Sequence, residues 1–232
     1  MQINGFNKLT LLDYPGHLAA TVFLGGCNMR CPFCHNASLV TKVSTQPVIP
    51  AEEVLDTLAK RRGILEGVCI TGGEPTLYPD LPDLIRRIKD MGYLVKLDTN
   101  GTNPGMMKAL AKDALIDFIA MDIKNSREKY ALTSGMPHIN MALIEESVTY
   151  LKSAPIPYEL RTTIVKEYHT KEDMRSIGEW LAGAAAYYLQ SYKDSGDIIM
   201  PGHSSHTKET LLEFVQILTP YIKNVSLRGV DL

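Results

Sequence analysis

Apolar residues along the chain follow two alternating patterns. Apolar runs with the residue types of strands, most of them continuous, occupy positions 19–24, 67–71, 93–97, 118–123, 158–165, 185–191 and 224–228. Between them, apolar residues recur with the 3.6-residue period of a helix that buries one face. Leu81, Leu84, Ile85, Ile88 and Met91 form such a stripe over 80–91, with Asp80 as candidate N-cap and Gly92 as stop. Asn103-Pro104 opens a further helix with a cap residue followed by proline at the first helical position. A stretch at 139–151 reads as helical. Another opens at Thr170-Lys171-Glu172-Asp173, ahead of Met174, Ile177, Trp180 and Leu181. The last spans 207–222, on Leu211, Leu212, Val215 and Leu218.

Strands that are mostly continuous apolar runs, rather than strict alternations, suit a parallel sheet covered on both faces, and helices between them supply the crossovers. The expected fold is therefore α/β, a partial or open parallel barrel, with residues 1–232 forming one domain. Within it, residues 1–18 read as an N-terminal strand and turn, the turn marked by Asp13-Tyr14-Pro15-Gly16.

Charge narrows the function classes. Lys and Arg number 24 against 26 Asp and Glu, a formal net charge of −2, so the basic excess of a nucleic-acid binder is missing. No apolar run approaches the roughly 18 residues of a membrane span, and the N-terminus lacks the charged-then-apolar pattern of a signal peptide. A cytoplasmic protein with neither nucleic-acid nor membrane partners is expected.

Three of the 4 cysteines, Cys27, Cys31 and Cys34, fall in one short segment, Cys27-Asn28-Met29-Arg30-Cys31-Pro32-Phe33-Cys34, while Cys69 stands alone in an apolar run. In a reducing compartment such a cluster points to metal or thiol chemistry rather than disulfides. Three thiolates suit a [4Fe–4S] cluster with one iron left open, as catalytic metal sites keep an open position. Other readings stand beside it. Cys31-Pro32-Phe33-Cys34-His35 fits the attachment string of c-type haem, Cys31 and Cys34 fit a thioredoxin-type pair, and His35 would complete a Cys₃His zinc site.

In parallel α/β sheets the loops after the strands carry the chemistry. Those loops hold the cysteines, then Gly72-Gly73-Glu74-Pro75, then Asp98-Thr99-Asn100-Gly101, then Asp122 and Lys124, while Arg161 lies in the following strand. If the strands are parallel, all of these face one mouth.

Together these residues resemble the radical S-adenosylmethionine (radical SAM) superfamily. The three-cysteine segment with aromatic Phe33 before Cys34, and Gly72-Gly73-Glu74-Pro75 after the second core strand, match its two main motifs. Cys34-His35-Asn36, Leu97-Asp98-Thr99-Asn100-Gly101 and Met121-Asp122-Ile123-Lys124 are similar to the glycyl-radical-enzyme activating proteins, which include activators of pyruvate formate-lyase and of anaerobic ribonucleotide reductase.

The resemblance implies an oxidoreductase that cleaves S-adenosylmethionine at a [4Fe–4S] cluster held by Cys27, Cys31 and Cys34. It implies a glycyl radical enzyme as protein partner and reduced flavodoxin or ferredoxin as electron donor. It assigns the cofactor to Gly72, Gly73, Glu74, Asp98, Asn100, Lys124 and Arg161, with Glu74 meeting the amino group and Lys124 the carboxylate. Asp98 and Asp122 match positions that hold a mono- or divalent cation in some members. For Arg161 the alternative is a structural ion pair with Glu159 or Asp122, and for Asp98 an Asx-turn. Asn28 and Arg30 are candidates to tune the cluster, His35 to pack near it, and Cys69 to be a core thiol. Lys193 stands where formate-lyase activators carry a histidine near the adenine, which favours the ribonucleotide reductase type. Alternatives are a small-molecule radical enzyme such as 7-carboxy-7-deazaguanine synthase and a non-catalytic iron–sulfur or thiol-redox protein. His17, His138, His169, His203 and His206 show no metal-ligand spacing.

Overall fold

β-branched residues pack well on a pleated surface, and the predicted runs emerge as strands in the computed structural model, which describes residues 1–154 and 156–230. Among the described residues eight strands follow one another along the chain: β1 (Ile3–Thr10), β2 (Ala19–Leu24), β3 (Gly67–Gly72), β4 (Leu94–Thr99), β5 (Phe118–Asp122), β6 (Tyr158–Ile164), β7 (Ala186–Ser191) and β8 (Asn224–Arg228). The chain divides into two compact units, and the division passes through the segment between Asn28 and Met29 and through β5.

In the first unit β1 runs antiparallel to β2, while β2, β3 and β4 are mutually parallel. Thr21 sits opposite Cys69, and Cys69 opposite Lys96. Helix α1 (Ala37–Thr41) is short. Helices α2 (Ala51–Lys60), α3 (Leu81–Asp90) and α4 (Pro104–Lys112) follow. Val54, Leu55 and Leu58 of α2 and Leu81, Leu84, Ile85 and Ile88 of α3 are buried together with Val22, Val68, Ile70 and Val95 of the strands. Asn103 caps α4, accepting the Met106 N–H at 3.2 Å, whereas Asp80 makes no side-chain cap bond to α3. The N-terminal strand and turn are present: β1 pairs with β2 along most of its length, and the His17 N–H closes the turn onto the Tyr14 carbonyl at 3.1 Å.

In the second unit β6, β7 and β8 are parallel. Between the strands come α5 (Tyr130–Ser134), α6 (Met141–Ser153), α7 (Lys171–Trp180) and α8 (Lys208–Leu218). Thr170 and Asp173 form a reciprocal capping box at the start of α7, with the Thr170 N–H donating to Asp173 at 2.8 Å. Ile144, Val148, Leu160, Ile164, Met174, Ile177, Leu189 and Phe214 are buried.

Three helices escaped the sequence reading. The spacing of Val54, Leu55 and Leu58 behind Pro50 was a usable signal for α2. α1 and α5 are single turns that no periodicity test resolves.

Among the described residues no helix is long and apolar enough to cross a membrane.

Candidate functional site

Because β2, β3 and β4 are parallel, their following loops lie at one end of the first unit's sheet. Gly73 donates its N–H to Leu24 at 2.8 Å, and Glu74 donates its own to Gly26 at 2.8 Å, which ties this turn to the residues just before Cys27. The glycines are required by that contact. A Cβ on Gly72 would stand 2.2 Å from the Leu24 carbonyl oxygen, and one on Gly73 1.9 Å from that of Gly26. Gly72 also has φ +123°, which disfavours any side chain.

Glu74 is fully buried. Its carboxylate accepts from the Thr76 N–H (3.1 Å), the Thr76 hydroxyl (2.5 Å), the Thr99 hydroxyl (2.8 Å) and the Asn100 N–H (2.6 Å). No Lys, Arg or His of the described residues pairs with it. Burial pushes its pKa up, opposed by these four hydrogen bonds. A carboxyl so balanced is stabilised as the anion by any cation that reaches it.

Asn100 is equally constrained. Its Oδ1 accepts from the Thr102 N–H (3.0 Å) and hydroxyl (2.7 Å), and its Nδ2 donates to Asn28 at 2.9 Å and points at the Cys27 sulfur at 3.8 Å. Asn28 in turn donates to the Thr102 hydroxyl at 2.9 Å. Asn28 and Asn100 thus belong to one polar network around Cys27. Asp98, two residues earlier on β4, is ion-paired with Lys96, which is 1% exposed.

The second unit holds Cys31 and Cys34. Cys31 is buried and Cys34 partly so, with the Cys34 N–H donating to the Cys31 carbonyl at 3.0 Å. The segment is anchored by Arg30 N–H to Ser134 (2.9 Å) and by Met200 N–H to Pro32 (2.9 Å). Gly135, at φ +64°, closes α5 where a Cβ would meet the Arg30 carbonyl at 2.1 Å. Burial raises the Cys31 pKa to about 11, against the pull of Lys124, and raises that of Cys34 too. These thiols stay protonated until a metal offsets the burial of their charge.

Asp122, at the end of β5, receives Lys124 Nζ at 3.0 Å on one oxygen and the Arg161 guanidinium at 3.0 Å on the other. Burial alone would raise its pKa, but Lys124 and Arg161 hold it at about 2. The structural ion pair considered for Arg161 is therefore present. The Lys124 backbone is held by His169, a residue the sequence reading set aside. Nδ1 of this buried imidazole accepts the Val165 N–H at 3.1 Å, so Nε2 donates to the Lys124 carbonyl at 3.0 Å. Burial lowers the His169 pKa and keeps the ring neutral.

Phe33 packs with Val165, Tyr168, Tyr192 and Ile198. His35 stacks on Tyr192 with ring centroids 5.5 Å apart. His203 donates to or accepts from the Tyr168 hydroxyl at 3.0 Å and lies edge-on to Phe33 and Tyr192. The Tyr192 hydroxyl and His203 Nδ1 are buried without a hydrogen-bond partner. Tyr168, Tyr192 and His203 carried no motif, and sequence reasoning missed them.

Three cysteines on one short segment fit a [4Fe–4S] cluster, and the two orphaned polar atoms fit a ligand bearing hydrogen-bonding groups of its own. Cys69, by contrast, is a buried β3 thiol beside Lys96, which matches its reading as a core residue.

Comparison with known proteins agrees with these features. Residues 21–181 match the model of the Radical SAM superfamily. A Methanocaldococcus jannaschii protein provisionally named a glycyl-radical enzyme activating enzyme is 31% identical over 237 residues, covering 99% of this chain and 96% of its own. The pyruvate formate-lyase-activating enzyme of Clostridium pasteurianum is 30% identical over 129 residues, 53% of this chain and 52% of its own. Among solved structures, Streptococcus suis SuiB bound to S-adenosylmethionine superposes with TM-score 0.69 at 15% identity, covering 91% of this chain. The chain spans about half of SuiB, 52% of its length, so this likeness concerns the fold. With its cysteine segment, its buried Glu74 and a family match over most of its length, the chain belongs to the radical SAM superfamily, whose cofactors are a [4Fe–4S] cluster and S-adenosylmethionine.

Proposed function

We propose that this protein is a glycyl-radical-enzyme activating enzyme that acts on a backbone glycine of a partner protein, with anaerobic ribonucleotide reductase as the favoured partner. The observation that carries the reading is the end-to-end likeness, at 31% identity, to a relative named for that activity. When bound, the reduced cluster would supply one electron for the reductive cleavage of S-adenosylmethionine, the chemistry by which a hydrogen atom would be taken from the substrate.

The chain's own residues bind and orient. Cys27, Cys31 and Cys34 hold the cluster. The Asn100 amide, aimed at Cys27, stabilises charge on that sulfur. Glu74, buried and without a cation of its own, receives the cofactor's ammonium. Gly72 and Gly73 set its height by packing on Leu24 and Gly26, rather than by making room for the cofactor alone. Lys124 spends one N–H on Asp122 and keeps two for the methionyl carboxylate. Arg161 and Asp98 are the further residues that the family resemblance assigns to the cofactor. Tyr192 and His203, whose buried polar atoms lack partners, serve the adenine where Lys193 replaces the family histidine. Reduced flavodoxin or ferredoxin in the cytoplasm provides the electron.

The test uses anaerobically reconstituted protein, candidate glycyl radical enzymes and electron paramagnetic resonance. Deuterium placed on the partner's glycine should appear in 5′-deoxyadenosine only when the partner is present. Label arriving from a small heterocycle without partner would favour a deazaguanine-type enzyme. A full cluster that never cleaves S-adenosylmethionine would favour a non-catalytic iron–sulfur protein.

A further inference from the structure

Lysine is almost never fully buried unless paired, yet Lys96 lies in the middle of β4 at 1% exposure. Side chains alternate along a strand, so Lys96 and Asp98 share a face. The Lys96 ammonium is ion-paired with Asp98 Oδ1 and lies 3.8 Å from the sulfur of Cys69, its cross-strand neighbour on β3.

This arrangement disagrees with a metal cation at Asp98. Alkali and alkaline-earth ions need several oxygen ligands, and here the Asp98 carboxylate already carries a positive charge at contact distance. A second cation there would be repelled strongly in a medium that screens poorly. Displacing the ammonium would leave it buried beside a thiol with no counter-charge. Asp122 fits no better, since both of its oxygens are engaged by Lys124 and Arg161 within its own unit.

We propose that Lys96 is a tethered cation that takes the place of a metal ion at Asp98, so that cofactor binding does not depend on alkali or alkaline-earth ions. The cofactor part rests on the function proposed above. Lys96 is a positioning residue: it neutralises Asp98 and holds its carboxylate in one orientation.

Equilibrium dialysis of the reconstituted protein with labelled S-adenosylmethionine, in choline, sodium, potassium or magnesium chloride at equal ionic strength, should give affinities within twofold of one another. Sodium-23 relaxation and manganese-dependent water relaxation, measured without cofactor, should show no ion bound in a way that Asp98→Asn abolishes. Lys96→Met should weaken the cofactor at least tenfold in choline, recover much of this in a metal salt, and gain an Asp98-dependent ion. Lys96→Arg should stay ion-independent. A wild-type affinity that changes tenfold among the salts, or a wild-type ion lost in Asp98→Asn, overturns the proposal. The wild-type arms stand even if Lys96→Met fails to fold. Wild-type protein that binds no S-adenosylmethionine in any salt refutes the function above instead, while the relaxation measurements still decide the role of Lys96.

Discussion

Glu74 Oε2 accepts the backbone N–H of Asn100 at 2.6 Å, so the carboxylate that follows β3 is aimed by the loop that follows β4. Thr99, the last residue of β4, donates its hydroxyl to the other oxygen at 2.8 Å. The end of β4 and the residue that follows it therefore fix a buried anion carried by the turn after the adjacent parallel strand β3.

Replacing that anion with its neutral isostere isolates the charge. Glu74→Gln should retain iron and sulfide but bind S-adenosylmethionine about tenfold or more weakly, since a hydrogen bond to a charged group is worth roughly 1.5–3 kcal/mol. Equilibrium dialysis beside iron analysis measures both. Equal affinity in the variant would remove Glu74 from the cofactor site.

Gly73→Ala should destabilise the fold by about 3 kcal/mol or more, at the upper end of overpacking costs, because the new methyl meets backbone rather than a movable side chain. Urea unfolding gives the difference. A variant within about 0.5 kcal/mol of the parent, the usual range for surface changes, would mean that the turn can move off Gly26.

Cys69→Ala should keep the full iron and sulfide content, at a cost of about 1–2 kcal/mol for the lost core volume. Cys27→Ala, Cys31→Ala and Cys34→Ala should each lose the cluster. Anaerobic reconstitution followed by metal analysis decides; cluster loss in Cys69→Ala would show that a fourth thiol is needed.

His169 predicts a pH dependence of stability. Its folded pKa lies below the ordinary 6.5 because burial disfavours the charged ring, so the unfolded chain binds the proton more readily. Stability from this group is complete above about pH 6.5 and declines as the pH falls through that value toward the lower folded pKa. Melting temperatures between about pH 7.5 and 5 should fall for the parent and fall less steeply for His169→Gln. Parallel profiles for the two would take His169 out of the explanation.

Local physics made much of this legible in the amino-acid order. The apolar runs became β2 to β8 with shifts of a residue or two at their ends, and Thr170 and Asn103 cap the helices they announce. The three-cysteine spacing and Gly72-Gly73-Glu74 were readable because each is contiguous. What tertiary structure alone decided involves residues far apart in the chain. Cys69 and Lys96 meet because β3 and β4 pair in one register, and a shift of one residue would turn Lys96 to the opposite face. Lys96 and Asp98 share a face of β4 whatever the register, but the register decides that Cys69 flanks the ammonium. The need for glycine at 72 and 73 comes from the backbone of Leu24 and Gly26, nearly 50 positions earlier. Tyr192 and His203 were invisible for the same reason: no spacing marks a side chain whose buried polar atom is left without a partner by the way the chain packs. Sequence order encodes propensity and contiguous motifs, whereas strand register and packing determine which distant charges and polar atoms meet.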